Sequence, residues 1–181
     1  MVVVAGIGDA GFGVWDRAFA ATMIRIITEP SADIYATWGV WIDWPIYFIT
    51  TCTLKRRRIL ASRQVAEILA DEWRAAHQRH DFAIGRYVIM PDHVHFFCSA
   101  ELNAKRLPTF MQAWKQWTSK QMARAQFSWK RLAEEFFDHV LRSSESYSQK
   151  WDYVKENPVR AGLVESSDEW PWQGEVELLM L

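Results

Sequence analysis

The sequence predicts an α+β fold, an antiparallel sheet of ferredoxin-like arrangement packed with α-helices. Three observations carry this expectation. Strand-like runs rich in β-branched and aromatic residues are interleaved with helical stripes, two of those runs meet at a Pro-Asp turn, and no repeated βαβ unit follows. The chain has 181 residues, enough for one ordinary domain with appendages. Half of the residues are apolar and 24% are charged, the composition of a folded chain rather than a disordered one.

Taken in order, "IYFITTCTL" after Pro45 is a first strand, ended by the basic run Lys55 to Arg58. Residues 61–80 place Val65, Ile68, Leu69, Trp73 and Ala76 at helical spacing, with Arg63, Glu67, Asp71 and Arg74 around the rest of the wheel. "FAIGRYVIM" and "HVHFFCSA" are strands separated by Pro91 and Asp92, a turn short enough to make an antiparallel hairpin. From Arg106 to about Gln126, Leu107, Phe110, Met111, Trp114, Trp117 and Met122 mark a second amphipathic helix, and this assigns Trp117 to the core. "EFFDHVLR" is a fourth strand, and serines 143, 144 and 146 mark a loop and a helix start. A third helix runs from about Glu145 and breaks near Pro158, because proline disfavours the helical conformation before it. The predicted order is β-α-β-β-α-β-α. The expected division is an N-terminal extension over 1–44, a domain over 45–165 and an acidic C-terminal tail over 166–181.

The formal net charge is −1, but it is unevenly spread. Residues 51–164 hold 19 basic and 12 acidic side chains, whereas both ends are acidic. A basic middle is compatible with a polyanion partner and equally with lysines and arginines solvating helix faces. No window approaches 18 uninterrupted apolar residues and the N-terminus lacks the pattern of an export signal, so a soluble, cytoplasmic protein with no membrane partner is expected. Cys52 and Cys98 both fall in strand-like runs and are expected to be small buried thiols rather than a disulfide. Gly6, Gly8 and Gly11 formally match a dinucleotide-binding fingerprint, which would make the protein a nucleotide-dependent oxidoreductase. That fingerprint needs a parallel sheet, and the hairpin argues against one.

His93 and His95 stand two apart in a strand and project from one face, where two imidazoles can share a cation or simply be half-buried in a sheet. Tyr153 and Asn157 are four apart on the last helix and face one way, so the Asn157 amide oxygen could complete a three-ligand site with the tyrosine hydroxyl beside it. Asn157 has a rival role as N-cap of a short helix, and Tyr153 as a core tyrosine. Tyr147, ten residues before Asn157, points elsewhere on the helix. His139 reads as structural.

"YVIMPDHVHFFCSA", followed some sixty residues later by "KWDYVKENPVRAGLVESSDEWPW", resembles the single-tyrosine, HUH-type transposases of small insertion sequences, most closely the REP-associated tyrosine transposases. "FFDHVLR" between them also resembles the family, and the likeness runs from about Pro45 to Trp172. The resemblance implies the HUH fold, with His93, His95 and Asn157 as ligands of Mg2+ or Mn2+ and Tyr153 as nucleophile. It further implies a single-stranded or hairpin DNA substrate and leaves open a homodimer.

The residue types suit that chemistry. A tyrosine attacking a phosphodiester conserves the linkage as a phosphotyrosine, so the step is reversible without ATP, and a divalent cation relieves charge on the phosphoryl oxygens. Lys55, Arg56, Arg57, Arg58, Lys105, Arg106, Lys115, Lys120, Arg124, Lys130, Arg131 and Arg160 are candidates to track the DNA backbone. The alternative is a non-catalytic nucleic-acid-binding protein on the same fold.

Overall fold

Residues Ile46–Cys52 combine β-branched and aromatic side chains and form strand β1, which is paired on both edges. The computed structural model describes residues 45–127, 136–141 and 144–179. β1 runs antiparallel to β3 (His93–Ala100) on one side and to β4 (Phe137–Leu141) on the other. β2 (Phe82–Ile89) lies outside β3, joined to it through the Pro91–Asp92 turn, and β5 (Gln173–Glu175) adds to the far edge of β2. The order β4-β1-β3-β2-β5 is the ferredoxin-like arrangement with one extra edge strand.

Because side chains alternate along each strand, the sheet has two differently dressed faces. The first carries Phe82, Ile84, Tyr87 and Phe96, covered by helices α1 (Arg63–Arg74) and α3 (Leu107–Arg124). Trp73 of α1 lies parallel to Trp114 of α3, with ring centres 5.8 Å apart, and contacts Tyr87 at 4.8 Å and Phe96 at 5.3 Å. The second face carries Ile46, Phe48, Val88 and Phe97 against Tyr147 and Val154 of α4 (Ser144–Lys155), with Trp170 and Leu179 completing the cluster. His93 and His95 alternate in register with Phe97 and therefore belong to this second face, the one α4 covers.

A β-bulge dresses that face further. Ile84 is opposite Cys98 and Tyr87 opposite Phe96, so Gly85 and Arg86 together stand against Phe97. Arg86 thus turns toward α4, its guanidinium 5.6 Å from the Tyr147 ring and 5.4 Å from the Trp151 ring. Gly85 leaves the space that Leu179 fills, since a Cβ there would lie 2.7 Å from Leu179 Cδ1.

Four details depart from the sequence reading. The helix expected over 61–80 is two helices, α1 and α2 (Ala76–His80), the second closed by Asp81 in the left-handed conformation (φ 58°). Trp117 is 38% exposed, because Thr118 takes the inward position between Trp114 and Met122; the indole lies instead between Arg79 and Lys120. The break expected near Pro158 is present, but it falls before Asn157, which opens a separate α5 (Asn157–Arg160) and so stands on a different helix from Tyr153. Residues expected to form an acidic tail are part of the sheet domain. Trp170 is buried and donates its indole N–H to the Ile89 carbonyl at 3.1 Å, and two of the acids that suggested a tail find basic partners, Glu175 with Arg86 and Glu177 with His77. Both cysteines are free; Cys98 is buried, which pushes its thiol pKa up, and Cys52 is half-buried. Among the described residues no helix is long and apolar enough to cross a membrane. Residues 1–44, with the glycine cluster, lie outside the described residues.

Candidate active site

The hairpin turn brings His93 and His95 to the start of β3, with ring centres 4.7 Å apart at 85°. Each ring is held by its Nδ1. Asp92 Oδ1 lies 2.7 Å from His93 Nδ1, and Thr50 Oγ1, directly opposite His95 on β1, lies 2.8 Å from His95 Nδ1. A carboxylate only accepts, so His93 carries its proton on Nδ1. Both Nε2 atoms are left for a cation, the arrangement by which outer partners orient metal-ligating imidazoles. Burial lowers the pKa of His93 despite the Asp92 charge, and lowers that of His95 to about 3, with the charges of His93, Lys150, Arg56 and Arg160 adding to the effect. Both rings are therefore neutral near pH 7, the form that binds metal.

α4 stands over the same face. Of its tyrosines, Tyr147 is buried edge-on against Phe97 at 4.8 Å, whereas Tyr153 is 60% exposed, which removes the reading of Tyr153 as a core residue. A short chain of contacts links Tyr153 to the histidines. Phe48 stacks on His95 with ring centres 5.4 Å apart, and Lys150 Nζ lies 4.6 Å from the Phe48 ring and 5.6 Å from the Tyr153 ring. Burial pushes the pKa of the Lys150 ammonium down.

Asn157 is tied to Tyr153 through Arg160. The guanidinium lies 4.2 Å from the Tyr153 ring centre, and its Nη2 donates both to the Tyr153 carbonyl and to Asn157 Oδ1. The N-cap of α5 is Glu156, whose carboxylate accepts from Ser167 Oγ at 2.7 Å, so Asn157 does not cap the helix. An amide oxygen has two lone pairs, and one remains beside the bond from Arg160. Two open imidazole nitrogens and one amide oxygen fit a divalent first-row cation or Mg2+ completed by water or substrate oxygens. Among the described residues no group of three or more His, Cys, Asp or Glu side chains offers a rival cage.

The basic candidates separate into three sets. Lys55 to Arg58 follow β1 and are tied to the turn before His93, through Thr53 N–H to the Asp92 carbonyl (2.8 Å) and Leu60 N–H to the Pro91 carbonyl (2.9 Å). Arg56 pairs with Asp92 at 3.0 Å, so this segment borders the histidines, as Arg160 borders Tyr153. Lys115, Lys120 and Arg124 belong to α3, which packs on the opposite face, and the fold does not bring them to this site. Lys105 and Arg106 immediately precede that helix. Lys130 and Arg131 lie outside the described residues. Sequence reasoning missed Thr50, which only strand register reveals, and read Asp92 only as a turn residue. It also missed Lys150, which the three-residue spacing before Tyr153 would have found.

An antiparallel sheet with paired histidines on an inner strand and an exposed tyrosine on a helix over the same face defines a class. Residues 45–156 match the family described as "Transposase IS200 like", and the chain belongs to that family. The matched span holds His93, His95 and Tyr153 and stops one residue short of Asn157. The chain is 25% identical over 142 residues to the REP-associated tyrosine transposase of Escherichia coli (strain K12), covering 76% of this chain and 77% of that one. It is similar in fold to a solved structure of a REP-associated tyrosine transposase bound to a REP hairpin, with TM-score 0.59 and 18% identity, covering 72% and 75% of the two chains. The resemblance and the fold read from the sequence are both borne out.

Proposed function

We propose that this transposase-family protein is a metal-dependent strand transferase that cleaves and rejoins single-stranded or hairpin DNA through a 5′-phosphotyrosine on Tyr153. His93, His95 and Asn157 would hold Mg2+ or Mn2+. The observation that carries the reading is the shared face: two imidazoles with open Nε2 atoms and an exposed phenol, linked through Phe48 and Lys150. The hairpin is supported by the similar solved structure, which is bound to a REP hairpin, and the E. coli relative is likewise named REP-associated.

When bound, the cation polarises the phosphoryl oxygens. The chain's own residues do the rest. Tyr153 Oη attacks phosphorus as the phenolic proton is lost; an oxygen–phosphorus bond forms, the bond to the 3′ oxygen breaks, and that oxygen takes up a proton. One phosphodiester is exchanged for another, so a 3′ hydroxyl can reverse the step. Asp92 and Thr50 keep the imidazoles aimed, and the Lys55–Arg58 segment and Arg160 offer charge to neighbouring phosphates. The packing of α4 on the sheet of its own chain supports a site built within one chain. Such a protein acts where DNA is, in the cytoplasm.

The test is incubation with labelled single-stranded hairpin DNA and Mn2+ followed by a denaturing gel. The wild type should give a protein-linked oligonucleotide, and Tyr153→Phe should bind the same DNA without forming it. Binding by the wild type with no adduct would favour the non-catalytic nucleic-acid-binding alternative.

A further inference from the structure

The cations on the site face differ in what holds them. Arg56 is paired with Asp92, Arg86 with Glu175, and Arg160 with Asn157 and the Tyr153 carbonyl. Among the described residues, the Lys150 ammonium faces no carboxylate; its neighbours are the rings of Phe48 at 4.6 Å and Tyr153 at 5.6 Å. A half-buried ammonium without a counter-ion is costly, and contact with aromatic faces returns less than an anion would. Its position is also specific. Lys150 and Tyr153 are three apart on α4 and so share a side of the helix, and Phe48 is stacked on His95. The ammonium thus lies between the Tyr153 ring and Phe48, the ring that stacks on His95. The phosphate that Tyr153 attacks must lie within reach of both the phenol and the imidazole, in the space that Nζ borders.

We propose that Lys150 is a further catalytic residue, donating a hydrogen bond from Nζ to a non-bridging oxygen of the phosphate under attack. The inference rests on the phosphotyrosine reading above and adds to it the residue that receives the phosphate. Negative charge on the non-bridging oxygens is redistributed as the fifth bond to phosphorus forms, so a donor fixed there favours the transition state over the bound substrate. Lys150 forms no covalent bond and exchanges no proton in the step.

The experiment measures single-turnover adduct formation at saturating labelled hairpin oligonucleotide in Mn2+, for the wild type, K150Q and K150R. Each is given the natural phosphate or one with sulfur at either non-bridging position of the scissile group. K150Q should bind the oligonucleotide within about threefold of wild type, unfold at the same urea concentration, and form adduct about 100-fold more slowly, as expected for loss of one transition-state donor. K150R should recover part of the rate. For one sulfur diastereomer the slowing seen in the wild type should shrink in K150Q, because sulfur there weakens a hydrogen bond that the variant has already lost. K150Q reacting at the wild-type rate, or reacting slowly while keeping the full sulfur penalty for both diastereomers, would overturn the proposal. Should K150Q lose stability, the sulfur ratio of K150R decides, altered for a direct contact and unchanged otherwise. A wild type that binds DNA but forms no adduct overturns the phosphotyrosine reading and this inference together.

Discussion

His95 is the part of the site whose energetics can be worked furthest. Its imidazole is buried on β3 between Phe48 and His93, and its pKa is lowered from 6.5 to about 3. Below pH 6.5 the unfolded chain takes up a proton at this residue that the folded chain refuses until about pH 3. Stability is therefore complete above pH 6.5 and is lost as pH falls toward 3. At pH 5 the contribution is about 1.5 pH units at roughly 1.4 kcal/mol each, or about 2 kcal/mol. His95→Gln keeps a polar group for Thr50 but cannot titrate. Urea unfolding followed by tryptophan fluorescence, with chelator present, should show wild type losing about 2 kcal/mol more than His95→Gln between pH 7.5 and pH 5. Parallel pH profiles for the two proteins would refute the argument, because they would mean that the ring is open enough to accept a proton in the folded state.

Asp92→Asn should weaken Mn2+ binding about 10- to 100-fold by calorimetry, because the carboxylate that fixes the His93 tautomer is gone. Trp170→Ala should cost about 3–5 kcal/mol in urea unfolding, as for a buried core aromatic, and deletion of residues 166–181 should cost more; a detached tail would change neither. Arg57→Ala with Arg58→Ala should weaken hairpin binding and reduce the salt dependence by about one unit per lost phosphate contact. Lys115→Ala with Lys120→Ala, on the opposite face, should leave adduct formation within about twofold, a change at the level of surface substitutions.

What was legible in the sequence follows from where the determining interactions lie. The β2–β3 hairpin was readable because Pro91-Asp92 and two apolar runs are contiguous, and the histidine pair because strand alternation puts residues two apart on one face. Trp117 was misplaced because a helical stripe leaves positions 117 and 118 nearly interchangeable, and only the packing of Thr118 decides between them. The C-terminal segment read as a tail because its acids were counted without their partners; Arg86 and His77 are about 90 to 100 residues away in sequence. The same distance hid Thr50 and the route through Phe48 to Lys150, which exist only once β1 is in register with β3 and α4 has settled over them.

The central claim concerns one oxygen atom. Digestion of the DNA-linked wild-type protein and mass spectrometry of the nucleotide-bearing peptide should locate the phosphate on Tyr153, within the peptide that runs from Trp151 to Lys155. A phosphate on Tyr147 or on any other side chain, or a cleaved oligonucleotide with no peptide attached, would contradict the account.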